Sequence, residues 1–176
     1  MQSNAAFAIG SLIWNTQTDL SSQYMSVLGA LHPLFATAAD GTRKENAQDN
    51  AAGAVARMIL KNTSAVPLEQ VLPIFLQALP LKRDFAETEM TFNALFALLQ
   101  AQNPIVLSNL DHLLAVFQTA LASVSSGIFY PTDDAQLTEA TRDRLVELLK
   151  AINASSPEKI QAAGELRSRP SLSTSR

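Results

Sequence analysis

The fold is decided by a short stretch that occurs three times, as Asn4-Ala5-Ala6-Phe7-Ala8-Ile9, Asn50-Ala51-Ala52-Gly53-Ala54-Val55 and Asn93-Ala94-Leu95-Phe96-Ala97-Leu98. The copies begin 46 residues apart (4 to 50) and then 43 residues apart (50 to 93), and a fainter fourth copy places Asp143 at the position of Asn93. A second apolar segment, from Val71 to Phe75, returns 42 residues later from Leu113 to Phe117. Two helix types that alternate at this period are typical of HEAT or armadillo solenoids.

We therefore expect an all-α chain. It should be an α-solenoid of about three to four HEAT repeats, each a helical hairpin, in a right-handed superhelical stack. Residues 1–164 should form this solenoid as the C-terminal piece of a longer protein, and residues 165–176 should form a flexible tail rich in Ser and Arg. The alanines of the repeated stretch should let neighbouring helices approach closely.

Three local signals predict where helices begin. Asn103 before Pro104, and Ser156 before Pro157, each place a capping side chain ahead of a proline at the first helical position. Asp84, with Glu87 three residues on, resembles a capping box.

The composition argues against catalysis. Among 176 residues there is no cysteine, so a disulfide, a thiol nucleophile and a cysteine zinc site are excluded. His32 and His112 lie in apolar runs, where we expect them to pack against the core rather than bind a metal. No nucleophile elbow or phosphate loop is visible, so we expect no enzyme, metal or cofactor. An apolar run of ~18 residues is also missing, and we expect no membrane span and a soluble, intracellular chain.

The charge favours a basic partner. Up to Gly164 the chain carries fifteen acidic and ten basic side chains. An acidic body is a poor partner for nucleic acid and a better one for a basic peptide.

Polar side chains recur in register on the first helix type. On a helix, residues four and seven places apart share a face, whereas positions two, five and nine places after each repeated Asn or Asp point to the core. We call the candidate binding residues the polar ladder: Asn46, Asp49, Asn50, Arg57, Glu89, Asn93, Gln100, Glu139 and Asp143, with Trp14 on its flank. Carboxylates and amides can accept hydrogen bonds from cationic side chains and can hold a peptide backbone. Alternatively, these residues form an ordinary solvated face, Asn50 and Asn93 bond to a neighbouring repeat, and Trp14 packs between repeats.

Three segments together resemble the C-terminal HEAT repeats of karyopherin-beta nuclear import receptors, in the branch of importin four and its fungal counterparts. They are Gln2 to Gly10, Asp49 to Met58, and Val71 to Lys82 with its Leu79-Pro80-Leu81 run.

The resemblance implies a carrier that shuttles between cytoplasm and nucleus. It would bind basic nuclear localisation signals or tails, such as those of histones and ribosomal proteins, on a concave face of the inner helices. Ran-GTP would bind N-terminal repeats that this sequence does not include, and no nucleic acid or membrane would be contacted directly. A HEAT scaffold without a transport role, holding a protein partner through an apolar edge, is the alternative.

Overall fold

A computed structural model describes residues 2–36, 44–125 and 137–155. Within these ranges the α-helices are α1 Gln2–Asn15, α2 Tyr24–Leu31, α3 Glu45–Lys61, α4 Leu68–Gln77, α5 Thr88–Gln100, α6 Pro104–Ser108, α7 Leu110–Ser125 and α8 Glu139–Ser155. No β-strand occurs in the three described stretches, and the all-α class is confirmed. The predicted tail 165–176 and the Ser156-Pro157 signal lie outside the described residues.

Helices α1, α3, α5 and α8 lie side by side in that order. The bonds between α1 and α3 show that these two helices run parallel. Near their beginnings the Asn50 amide nitrogen lies 2.8 Å from Ser3 Oγ, and near their ends Lys61 Nζ lies 3.1 Å from the Trp14 carbonyl oxygen. The repeated stretches therefore lie on successive helices of one layer, and the first two of these helices run parallel.

The second layer consists of the helices between the repeated stretches. Helix α2 and the short 3-10 turn His32–Phe35 pack on α3, and α4 packs on α6. Three phenylalanines join the two layers at α5 and α7. The centre of the Phe92 ring on α5 lies 5.2 Å from the centre of the Phe117 ring on α7 and 6.3 Å from that of the Phe96 ring, also on α5. The number of repeats and the handedness of the stack stay predictions.

Helix α3 is the centre of the molecule, because every residue from Ala47 to Ile59 is buried. Small side chains allow this, as predicted. A Cβ atom added to Gly10 of α1 would lie 2.9 Å from the Ala54 Cα atom, so a larger residue there would push α1 away from α3. The expected apolar positions of the repeated stretches, such as Ala6, Val55 and Leu95, are buried as predicted.

The local signals have mixed outcomes. Asn103 caps α6 as predicted, because its side-chain oxygen accepts hydrogen bonds from the backbone N–H groups of Ile105 and Val106. The capping box is wrong: neither Asp84 nor Glu87 makes a capping hydrogen bond. The prediction that the two histidines pack against the core is also wrong.

His32 and His112 are both exposed. His112 Nε2 lies 2.9 Å from the Leu76 carbonyl oxygen on α4. An imidazole has polar ring nitrogens and can stay at the surface beside an apolar helix face. The neighbouring apolar residues supply the buried area of that face.

Candidate functional site: a polar ladder divided between interior and surface

Asp49 of the polar ladder is fully buried in the structure. Its Oδ2 atom accepts hydrogen bonds from three consecutive backbone N–H groups, of Lys82 at 3.0 Å, Arg83 at 2.7 Å and Asp84 at 2.9 Å. Hydrogen bonds to an ionised carboxylate are shorter and about twice as strong as neutral ones. Asp49 thereby fixes the loop that leads from α4 to α5 against the beginning of α3.

Asn50 is buried beside Asp49 and joins three parts of the chain. Its amide nitrogen lies 2.8 Å from Ser3 Oγ on α1, 3.0 Å from the Asn46 carbonyl oxygen one turn earlier and 3.0 Å from Asp84 Oδ2. These contacts correspond to the alternative in which the asparagine bonds to neighbouring repeats.

Arg57 pairs with Glu87, and the two side chains are 9% and 0% exposed. The ion pair is bidentate: Arg57 Nη1 donates a hydrogen bond to Glu87 Oε2, and Arg57 Nη2 donates one to Glu87 Oε1 at 3.2 Å. Gly53 of α3 allows the Glu87 carboxylate to come this close, because a Cβ atom at position 53 would overlap it. Burial raises the pKa of Glu87 above its usual value of 4.5, against the opposite effect of the Arg57 guanidinium.

The structure therefore corrects the ladder at three positions. Asp49, Asn50 and Arg57 are enclosed and engaged with other parts of the chain, so no partner reaches them in this structure. The physical reason is that α3 has neighbours on nearly all sides, whereas the helical pattern distinguishes only a polar side from an apolar one.

The sequence analysis assigned Glu87 to a helix cap and missed its role as the buried partner of Arg57. The available signal was Gly53, because a glycine inside a helix often marks the close approach of another group.

The other ladder residues lie at the surface. Asn46, Glu89, Gln100, Glu139 and Asp143 are exposed, and Trp14 is 37% exposed.

Asn93 lies between interior and surface. Its side-chain oxygen accepts a hydrogen bond of 2.7 Å from Arg144 Nη1 on α8. The Arg144 guanidinium carbon lies 4.7 Å from the centre of the Phe96 ring, so this cation is directed toward α5. Asn93 thus joins α5 to α8, as Asn50 joins α3 to α1.

Three exposed carboxylates, which we call the acidic rim, belong to the N-terminal halves of α5 and α8: Glu89, Glu139 and Asp143. Arg144 of α8 meets Asn93 in the middle of α5, and the last turns of both helices line one groove, so the two helices run in the same direction and their beginnings lie at the same end of the layer. Glu89 and Glu139 lie in the first turns of their helices, where the helix dipole stabilises a carboxylate. Gln100 and Trp14 fall at the other end, at the last turns of α5 and α1.

The rim is a surface that can pair with cations. Its nearest described neighbours in sequence include the exposed Arg142, whereas the neighbouring Arg144 is engaged by Asn93 and Phe96. No group of three metal-ligating side chains occurs in the ranges that the structure covers. No helix in the described part of the chain is long and apolar enough to cross a membrane.

The fold and this surface define a class: stacked pairs of helices joined by buried polar links, with exposed charge at one end. No family model matches the chain. The chain is 38% identical over 152 residues, 86% of its length, to a protein named probable importin subunit beta-4 of Schizosaccharomyces pombe. It is 35% identical over 104 residues, 59% of its length, to importin-4 of Homo sapiens, and equally to importin-4 of Mus musculus.

The homologues of this chain are thus importin-4 and importin beta-4, which confirms the predicted resemblance to the karyopherin-beta family. The chain spans 13% of the length of the fission yeast relative and 9% of the length of each mammalian relative.

Proposed function

We propose that this chain is a cargo-binding segment of a nuclear import receptor and that it catalyses no reaction. The observation that carries the proposal is the homology to importins over 86% of the chain. Its stacked helices are consistent with the predicted α-solenoid of about three to four repeats, an architecture whose extended surfaces bind other proteins. As part of such a receptor, the chain would shuttle between cytoplasm and nucleus.

The cargo site we propose is the acidic rim, with Asn46 exposed at the corresponding end of α3. Lysine and arginine side chains of a basic nuclear localisation signal would pair with Glu89, Glu139 and Asp143. Basic tails such as those of histones and ribosomal proteins have the required charge. Ran-GTP would bind elsewhere, on repeats that precede this segment in a complete receptor.

Charge reversal tests the rim directly. The double variant Glu89→Lys/Asp143→Lys should weaken the binding of a lysine-rich peptide about tenfold or more, since like charges then face each other. The matched control is Asp111→Lys, which reverses an exposed acid near the beginning of α7, in the other layer. Fluorescence anisotropy with a labelled peptide measures both. Equal affinities for the double variant and the control would exclude the rim as the cargo site.

A scaffold without a transport role is the second candidate, and one feature favours it. An apolar groove of about 310 Å³ lies between α2 and α4, and Met25 at its edge is 61% exposed. A scaffold would hold its protein partner in such an apolar groove. In that case Met25→Asp abolishes capture of the partner and the double charge reversal leaves it unchanged, whereas an import carrier responds in the opposite way.

A further inference from the structure

An apolar groove with one cation on its wall lies between α5 and α8. It has a volume of about 430 Å³, which falls within the roughly 300–1,000 Å³ of typical ligand pockets. Its apolar lining includes Leu107 on α6 and Leu148 and Ile152 on α8, and among its lining residues, all of which the structure describes, Arg144 alone is charged. Leu107 is 42% exposed, so the apolar surface of the groove reaches solvent. The groove therefore has room for apolar side chains of another molecule.

Arg144 is held in a fixed position beside this groove. Its guanidinium carbon lies 4.7 Å from the centre of the Phe96 ring, and its Nη1 atom donates a hydrogen bond of 2.7 Å to Asn93 Oδ1. A guanidinium has five N–H donors, and within the described residues only one of them has an acceptor. The exposed cation thus keeps donors for a carboxylate, which arginine can bind through two parallel hydrogen bonds. Because Phe96 and Asn93 already fix the side chain, little conformational entropy is lost when such a ligand binds.

The spacing of three side chains along α8 determines which peptide fits. Arg144, Leu148 and Ile152 follow each other at intervals of four residues, so they share one face of the helix, with Leu148 about 6 Å and Ile152 about 12 Å from Arg144 along the axis. In an extended peptide every second side chain points the same way, and these side chains are about 6.6–6.8 Å apart. A peptide carboxylate on Arg144 therefore places the side chains two and four residues away over Leu148 and Ile152.

We propose that this groove binds an extended segment of another protein that is both acidic and apolar. A glutamate or aspartate of the segment pairs with Arg144, and large apolar side chains two and four residues away from it fill the groove. The charge of α8 does not oppose this ligand, because the helix carries equal numbers of acidic and basic side chains, and Lys150 pairs with Glu147 at 2.9 Å. The site is distinct from the acidic rim, where we propose that basic side chains bind.

A symmetrical peptide tests the proposal without assuming a chain direction. The peptide Leu-Ser-Leu-Ser-Glu-Ser-Leu-Ser-Leu, with blocked and labelled ends, has apolar residues two and four places from its glutamate on both sides. It should bind the 176-residue chain saturably in fluorescence anisotropy. The same peptide with glutamine in place of glutamate should bind about tenfold more weakly, since it lacks the charge that Arg144 recognises.

Variants of the chain assign the binding to the groove. In Arg144→Gln the two peptides should bind equally, whereas the matched control Arg142→Gln, which changes an exposed neighbour, should keep the tenfold difference. Leu107→Asp places a charge at the exposed edge of the groove and should abolish binding. Its control is Leu12→Asp on α1, where the leucine is 62% exposed and lies outside the groove, and this variant should bind as the parent chain does. Thermal melting followed by circular dichroism checks that each variant is folded.

Four results would overturn the proposal. They are the absence of saturable binding, a tenfold preference that persists in Arg144→Gln, unchanged binding by Leu107→Asp, and competition by a lysine-rich peptide, which would place the ligand on the acidic rim. A dimer that Leu107→Asp converts to a monomer in size-exclusion chromatography would instead assign the groove to a second copy of the chain, and would also contradict the proposal.

Discussion

Arg57 of α3 and Glu87, at the entry to α5, form an enclosed ion pair that joins two repeats. The Arg57 guanidinium also lies 6.0 Å from the centre of the Phe7 ring on α1, and its Nη1 would lie 3.4 Å from a Cβ atom on Gly10. This arginine of α3 therefore lies against α1 on one side and pairs with the turn that precedes α5 on the other. We conclude that Asp49, Asn50 and Arg57 of α3 join neighbouring parts of the chain, which leaves the exposed carboxylates of α5 and α8 as the surface that we propose for the partner.

Removing one member of the buried pair should be far more harmful than removing one member of an exposed pair. Arg57→Ala leaves Glu87 buried without its cation and should lower the free energy of unfolding by about 3–5 kcal/mol. Arg83→Ala breaks the 3.0 Å pair with Glu45, whose side chains are 67% and 32% exposed, and should cost less than about 1 kcal/mol. Urea unfolding followed by circular dichroism gives both values; equal losses would refute a structural role for the buried pair.

Two glycines in helices should respond to alanine in opposite directions. Gly53→Ala places a methyl group where Glu87 lies and should destabilise the fold by about 1–3 kcal/mol. A Cβ atom on Gly29 of α2 meets nothing within 4 Å, so Gly29→Ala should stabilise the fold by about 0.5–1 kcal/mol. Thermal unfolding of the two variants is a sufficient measurement. A rise in melting temperature for Gly53→Ala would show that the chain does not need this close approach.

Asp49 should affect stability and leave the rim intact. Asp49→Ala removes the acceptor of three part-buried backbone N–H groups, and a hydrogen bond to a charged group contributes about 1.5–3 kcal/mol. The variant should therefore lose about 3 kcal/mol or more in urea unfolding. At a temperature where it remains folded, it should bind a lysine-rich peptide as the parent chain does. Normal stability combined with lost peptide binding would show that Asp49 contacts the cargo and does not stabilise the fold.

The stability that Glu87 contributes should decrease as the pH rises. Because burial raises the pKa of the folded-state Glu87 above 4.5, the folded chain holds this proton more tightly than the unfolded chain does. The contribution is complete below pH 4.5 and is lost as the pH rises through the folded-state pKa. The difference in unfolding free energy between the parent chain and Glu87→Gln should therefore shrink from pH 4.5 upward. A difference that grows with pH would mean that Arg57 outweighs burial.

The layer of successive helices could be predicted from the sequence because its cause is periodic. The return of Asn4 as Asn50 and Asn93 marks equivalent positions in successive helices, and the apolar residues at fixed distances from them are buried as expected. The Asn103 cap could also be predicted, since capping depends on neighbours in sequence.

The division of the polar ladder could not be predicted in the same way. Asn46 and Asn50 lie on one face of α3, yet Asn46 is exposed and Asn50 is 4% exposed. Periodicity gives the direction of a side chain but not what stands opposite it, and the loop carrying Asp84 comes from 34 residues away. The partner of Arg57 could not be predicted for the same reason, because Glu87 belongs to a turn whose sequence does not repeat along the chain.

The salt dependence of peptide binding tests the central claim most directly. Exposed carboxylates attract a basic peptide through a field that decays over about 8 Å at physiological ionic strength, so screening should act strongly on the rim. We expect isothermal titration of a lysine-rich peptide to show an affinity that falls steeply between low and high salt, with a weaker fall for Glu89→Lys/Asp143→Lys. An affinity that does not change with salt, or the same salt dependence in that variant, would contradict the account.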